Sequence, residues 1–173
     1  MSNLKFYDGD IFSPNKTGHE LIVCHQVNCK GVMGAGLALQ VRRLFPHLFE
    51  MYRIECQKVA DSRELLGKVL YCNGSYNGYD YTVANLFSQD DYGRGKRQTD
   101  YDALRKALSN VRCVATPLPA RTLTTVRIPY KLGCGLAGGD WDVVFQIITE
   151  ELVSKNIPVE IWRYASNSFG THH

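Results

Sequence analysis

Two glycine-rich stretches in this chain each lie between an apolar run and a segment with helical spacing, and that arrangement limits the fold before anything else does. The first, Gly31-Val32-Met33-Gly34-Ala35-Gly36, follows the continuous apolar run Leu21 to Val27 and precedes Leu37, Val41, Leu44 and Phe45. The second, Gly133-Cys134-Gly135-Leu136-Ala137-Gly138-Gly139, follows Thr125 to Tyr130 and precedes Trp141, Val144, Phe145, Ile148 and Leu152. A strand that turns through glycines into a helix is the unit from which parallel sheets are wound, so the fold class is α/β.

The rest of the chain keeps the alternation. Leu4 to Tyr7, Gly67 to Tyr71, Tyr79 to Leu86 and Val159 to Trp162 read as further strands, with Asn73-Gly74 and Asn77-Gly78 as hairpin turn signals. Leu48, Phe49 and Tyr52 continue the first helical spacing beyond Pro46, which divides it into two helices or kinks one. Tyr101, Leu104 and Leu108 mark another helix. These elements predict a mixed, largely parallel central sheet covered by helices on both faces. At 173 residues the chain is long enough for one hydrophobic core and short for two, so a single domain over 1–165 is expected. Residues 166–173 lose all hydrophobic period and end in two histidines, consistent with a disordered, tag-derived tail.

Composition excludes more than it selects. A net charge of +3 with dispersed basic residues is no nucleic-acid footprint, and no apolar stretch approaches the ~20 residues of a spanning helix. The six cysteines form no CxxC pair and four lie in or beside apolar runs, which favours reduced, buried thiols and a cytoplasmic location.

Strand-to-helix glycine turns offer bare backbone N–H groups and a helix N-terminus to an anion, and in an open α/β sheet such turns can face each other across one crevice. Either turn alone could be mere tight geometry; both together point to a diphosphate. The first turn is GxxGxG rather than the dinucleotide GxGxxG, and no GxxxxGK[ST] occurs. A cysteine phosphatase loop needs a closing arginine, yet Ala35 and Asp140 stand six residues beyond Cys29 and Cys134.

Gly9-Asp10-Ile11 after the first strand, the run HQVNCKGVMGAGLALQ, the run IPYKLGCGLAGGDW and a last strand with an aromatic together resemble the macro domain family over residues 4 to 164. The similarity looks closest to the branch of ADP-ribose 1''-phosphate phosphatases and terminal ADP-ribose-protein hydrolases. The resemblance implies a three-layer α/β/α macro domain that binds ADP-ribose. Asp10 would accept from the adenine amino group with help from the Ile11 backbone, and Asn28 would contact the distal ribose. Met33, Gly34, Ala35 and Gly36 would line that ribose. Gly133, Cys134, Gly135, Leu136 and Ala137 would cradle the diphosphate through backbone amides, with Lys131 and Leu132 also among the substrate-binding residues, and Trp162 or Tyr164 would sit beside the adenine. No cofactor or resident metal is implied, and a monomer is expected, with nucleic acid a partner only as an ADP-ribosylated end.

The protein-hydrolase relatives use a lysine in the strand before the long middle loop and an aspartate after GCGL. Here Val83 to Phe87 contains no lysine and Ala137 takes the aspartate's place, which counts against lysine-dependent de-ADP-ribosylation. Removal of a terminal phosphate needs water activation and leaving-group protonation, for which His25 and Asp140 are the candidate catalytic pair. Asp140 also suits a helix N-cap, and His25 a satisfied histidine at a strand end. The loop from Asp90 to Asp100, with Arg94, Lys96 and Arg97, is either a solvated loop or a cover offering a cation to the ligand's phosphates. Three functions remain open: the phosphatase, an ADP-ribosyl hydrolase acting on protein, O-acetyl-ADP-ribose or nucleic-acid ends, and a non-catalytic ADP-ribose reader.

Overall fold

In the computed structural model, residues 2–118 and 123–164 are described, so the expected tail lies outside the described residues. Ten main elements follow in chain order: β1 (Leu4–Asp8), β2 (Glu20–Val27), α1 (Gly36–Leu44), α2 (Pro46–Gln57), β3 (Val69–Tyr76), β4 (Tyr79–Phe87), α3 (Tyr101–Ala115), β5 (Thr124–Pro129), α4 (Trp141–Glu151) and β6 (Val159–Arg163). The six strands form one sheet in the order β1-β6-β5-β2-β4-β3, parallel throughout except for the antiparallel edge strand β3.

Alternation along the central strands feeds two cores. Ile22 and Cys24 of β2, Ala84 and Leu86 of β4 and Val126 and Ile128 of β5 face α3 and α4, meeting Leu104, Leu108, Val144 and Ile148. Leu21, Val23 and Val27 of β2 with Val83 and Phe87 of β4 face α1 and α2, meeting Val41, Phe45, Leu48 and Tyr52. The result is the expected three-layer α/β/α arrangement. Pro46 stands at the first position of α2, where its missing N–H costs nothing, so the helical spacing divides into two helices.

One expected turn is corrected. Asn77 and Gly78, both with positive φ, make the β3–β4 hairpin turn, but Asn73-Gly74 lies inside β3. A Cβ on Gly74 would come within 2.5 Å of the Phe45 ring, so this glycine lets a core aromatic press against the strand.

α1 and α2 contact β2 and β3, leaving the same face of β5 and β6 to be covered by the loop between β1 and β2. Arg127 of β5 holds that loop down. It is 2% exposed, donates Nε–H to Glu160 Oε1 at 3.0 Å, and spends its other donors on the carbonyls of Ile11 (2.8 Å), Ser13 (2.6 Å) and Pro14 (3.3 Å). Tyr81 adds a hydroxyl to the Phe12 carbonyl at 2.5 Å. Removing one partner of a buried pair strands the other charge, so Arg127→Ala should destabilise the fold by ~3–5 kcal/mol. Urea denaturation checks this, and a destabilisation under ~1 kcal/mol, the scale of an exposed pair, would mean that the loop holds itself.

Candidate functional site

β2 and β5 are neighbours and parallel, and the chain leaves them toward opposite faces: β2 runs into α1 on one side, β5 into α4 on the other. Such a divergence opens a crevice at the carboxyl ends of the two strands. Both glycine turns border it.

In the first turn α1 begins at Gly36 with no side-chain cap on its N-terminus. The N–H groups of Gly34, Ala35, Gly36, Leu37 and Ala38 make no hydrogen bond among the described residues. In the second turn the N–H groups of Gly135, Leu136 and Ala137 are likewise unpaired, while Cys134, Gly138 and Gly139 donate to Lys131, Gly135 and Gly133 carbonyls. Consecutive bare amides of this kind form a concavity for an anion. A Cβ on Gly135 would meet nothing within 4 Å, and its φ is not left-handed, so its α-hydrogen faces open space.

A buried polar network supports the second turn from below, and its members escaped the sequence reading. Gln26 of β2 donates to Thr99 Oγ1 (2.9 Å) and Gln89 Oε1 (2.8 Å) and accepts from Ser88 (2.7 Å). Thr99 in turn donates to the Gly133 carbonyl at 2.6 Å. Gly133, with φ of 70°, could not carry a side chain here, since a Cβ would lie 2.7 Å from Gln26 Oε1. The middle loop docks on the same turn: the N–H groups of Gln98 and Thr99 both donate to the Ala137 carbonyl, and Arg97 lays its guanidinium over Tyr101 at 4.3 Å. This packed part of the loop therefore buttresses the cradle, and its arginine is engaged with Tyr101. Gln26, polar between His25 and Val27 near the end of β2, was the available signal.

Asp10 stands where β1 ends, half-buried, with Oδ1 accepting from Phe12 N–H at 2.9 Å and Gln40 of α1 at 3.3 Å from both carboxylate oxygens. The Ile11 N–H is unpaired among the described residues, although its side chain belongs to the core. Asp10 is thus held against the middle of α1. Lys131 is exposed in a left-handed conformation beside the second turn, Leu136 is half exposed, and Cys134 turns its thiol to the Leu132 carbonyl.

Other expected residues sit elsewhere. Met33 and Leu132 are core side chains, so only their backbones can face a ligand. Asn28 is 7% exposed and committed to its own loop: Oδ1 accepts from Lys30 and Val32 N–H and from the Tyr52 hydroxyl, while Nδ2 donates to the Val32 carbonyl at 2.7 Å. It shapes the first turn and its carbonyl oxygen is not free for a ribose. Trp162 is held between Tyr7 of β1, stacked at 4.9 Å, and Arg127 of β5 at 4.6 Å from its ring, and it donates to Glu160; its faces are not open to an adenine. Tyr164 is exposed.

The expected catalytic pair does not assemble. His25 is 1% exposed, inside the layer beneath α1 and α2. Asn85 Nδ2 donates to the Leu70 carbonyl, which turns Oδ1 toward His25 Nε2 at 2.6 Å; Nε2 therefore carries the proton and Nδ1 is a buried acceptor without a partner among the described residues. Burial pushes the His25 pKa down to about 4, with the Asn85 hydrogen bond opposing. A residue sealed from the crevice cannot exchange a proton with a substrate there. Asp140 is exposed and caps α4, accepting from Asp142 N–H at 2.9 Å while its own N–H donates to the Tyr101 hydroxyl.

Known proteins resemble the chain along its length, although no family model matches it. An ADP-ribose 1''-phosphate phosphatase of Meyerozyma guilliermondii is 28% identical, with 92% of this chain covering 99% of that protein. The solved structure of a macrodomain protein from Streptomyces coelicolor is 28% identical, covers 92% of this chain and 97% of its own, and superposes with a TM-score of 0.71. The chain belongs to the macro domain family. A DNA ADP-ribosyl glycohydrolase of Mycobacterium tuberculosis is 30% identical over 69% of this macro domain, which spans 31% of that protein. Among the described residues no helix is long and apolar enough to cross a membrane.

The buried histidine gives this macro domain a pH signature. Its folded pKa is below the unfolded value of 6.5, so the unfolded chain binds more protons between about 4 and 6.5. The His25 contribution is fully present above pH 6.5 and is lost as pH falls through that window, at up to ~1.4 kcal/mol per pH unit. Urea midpoints from pH 7 to 4 should drop less steeply in His25→Gln than in wild type; parallel curves would mean that His25 is reached by water.

Proposed function

We propose that this macro domain binds ADP-ribose in the crevice between the two glycine turns and hydrolyses the terminal phosphate of ADP-ribose 1''-phosphate. One observation carries the binding: two runs of unpaired amides, Gly34 to Ala38 and Gly135 to Ala137, border one crevice with the Asp10 carboxylate at its β1 side. Asp10 would accept from the adenine amine while the second run holds the diphosphate. The near-complete mutual coverage with a relative named ADP-ribose 1''-phosphate phosphatase supports the reaction.

The mechanism follows from what the crevice lacks. With His25 sealed in the core and Asp140 capping α4, neither expected side chain is placed for proton transfer. Water held by backbone groups would attack the phosphorus as its bond to the ribose 1''-oxygen breaks, with the substrate's own phosphate oxygens taking the water's proton and passing it to that departing oxygen, while fixed amides disperse charge on the phosphoryl oxygens. The product would be ADP-ribose and inorganic phosphate. A second reading, removal of ADP-ribose from a nucleic-acid end, draws on the glycohydrolase relative and on a basic hollow beside the first turn. We place the protein in the cytoplasm as a monomer formed by one domain over 1–165.

Calorimetry with ADP-ribose tests the crevice. Gly135→Val fills open space without backbone strain, so it should abolish binding while leaving the melting temperature unchanged; normal binding would make this loop a turn and nothing more. Asp10→Ala should weaken binding by ~1.5–3 kcal/mol, the range for a hydrogen bond to a charged group.

For the chemistry, phosphate release from ADP-ribose 1''-phosphate decides. Asparagine caps a helix about as well as aspartate but cannot ionise, so Asp140→Asn should keep the wild-type rate. An equally stable Asn variant with a ~10²-fold lower rate would return Asp140 to the chemistry.

A further inference from the structure

Beside the first glycine turn, on the side facing α2, lies a hollow of about 600 Å³ whose wall carries three cations, Lys30, Arg42 and Arg53, and no carboxylate. The cations differ in how far the protein itself satisfies them. Lys30 is tied down, donating to Ser62 Oγ at 2.8 Å and lying 3.5 Å from Asp90. Among the described residues Arg53 has only Glu50 as an ion-pair partner, at 4.0 Å, an exposed contact at the limit of ion pairing. Arg42 pairs with no carboxylate among the described residues, and its guanidinium lies over the Phe49 ring at 4.1 Å. As a cation in the last turn of α1 it suits the helix dipole, but that needs no ring contact. The stack fixes a guanidinium at the hollow's edge, and a plane so held is a platform on which a base can lie. A Cβ on Gly31, whose φ is 82°, would reach ordinary contact distance of Cys56 and the Arg53 stem, and all three line the hollow, which therefore adjoins the first glycine turn.

We propose that this hollow seats a phosphodiester, with its neighbouring base, of a nucleic-acid strand whose ADP-ribosylated end occupies the crevice. Two cations without close partners match the negative charge of a strand backbone, and the volume, far larger than one carboxylate requires, suits a nucleotide. The guanidinium on Phe49 favours a base-bearing strand over an acidic peptide, which has nothing to stack. The inference deepens the nucleic-acid reading of the crevice, since the strand would hold the modified end in register with the two turns. Dispersed charge along the sequence hid it: Lys30, Arg42 and Arg53 are brought together only by the packing of α1 and α2 against the turn.

Fluorescence anisotropy of a labelled, unmodified single-stranded oligodeoxynucleotide with the whole chain, over a range of KCl concentrations, tests the hollow without ADP-ribose. Wild type should bind with an affinity that falls as salt rises. Arg42→Gln with Arg53→Gln should weaken binding by about tenfold and flatten the salt slope by about 0.7 for each phosphate that is no longer neutralised. Calorimetry with free ADP-ribose should show wild type and the double variant alike, and thermal melts should coincide because both side chains are exposed. Arg53→Glu, which reverses one charge, should weaken the oligonucleotide further. Equal oligonucleotide affinity and slope in wild type and variants would overturn the proposal, as would failure of wild type to bind the oligonucleotide. Displacement by a polyglutamate peptide of matching length and charge, as effective as unlabelled oligonucleotide, would overturn it in favour of an acidic-protein partner. Failure of wild type to bind ADP-ribose would instead sink the crevice reading, a separate result, because the oligonucleotide reaches the hollow without it.

Discussion

Two adjacent parallel strands that send the chain to opposite faces of the sheet are the constraint on which the rest of this structure depends. β2 and β5 share a register from Glu20↔Thr124 to Val23↔Arg127, and beyond it their continuations must part. Where they part, each keeps only its outer neighbour, β4 beside β2 as far as Val27↔Phe87 and β6 beside β5 as far as Pro129↔Trp162, and the ladder between the two stops. An α-helix leaves its first N–H groups unpaired, and α1 adds no capping side chain, so a row of donors is left facing the crevice. On the β5 side, Gly133 and Gly139 fold the turn back on itself and leave three amides outward. The anion site is therefore a product of the topology, and the glycines make it approachable.

Bare amides are useful only if they do not move, and three buried polar groupings hold them. Tyr52 and Asn28 lock the first turn, Gln26 and Thr99 carry the second, and Arg127 pins the loop that presents Asp10. Each spans elements distant in sequence, and each buries donors that must be satisfied inside the protein. Fixed dipoles of this sort need no reorganisation when charge arrives, which is what makes them effective toward a diphosphate or a phosphoryl group.

The layers, the strand set and both turns were legible in the sequence because they depend on period and on glycine, which are local. Pro46 divided the helices at the expected place, and only Asn73-Gly74 misled, because a glycine needed for contact with Phe45 carries the same letters as a turn. Side-chain roles were less legible. His25 alternates with core residues along β2, so its neighbours Val23 and Val27 already assigned it to the face beneath α1, away from the crevice. Asn28, next to a glycine turn, looked like a ligand contact, but Tyr52 is the partner that claims its oxygen, and nothing local in the sequence reveals that pairing. Arg127, a charge within an apolar strand, was the one readable sign of the buried network around the β1–β2 loop.

The ionisable groups near the two turns point in one chemical direction. Burial and nearby Asp90 raise the Cys29 thiol to about 12, and burial raises Cys134 to about 11, so neither is a thiolate near neutrality. His25 is neutral and enclosed, and Asp140 is occupied by the helix it caps. No side chain there is set up as a nucleophile, and a covalent intermediate would have nowhere to form. On the proposed reading water attacks instead, and the protein contributes geometry and a field of amide dipoles while the substrate's own phosphate manages the proton. Such a site would be slow compared with one built on a side-chain base, because it forgoes the roughly 10²–10⁴-fold that a positioned acid or base supplies. It would also be selective, because only a substrate that brings its own charge completes the constellation.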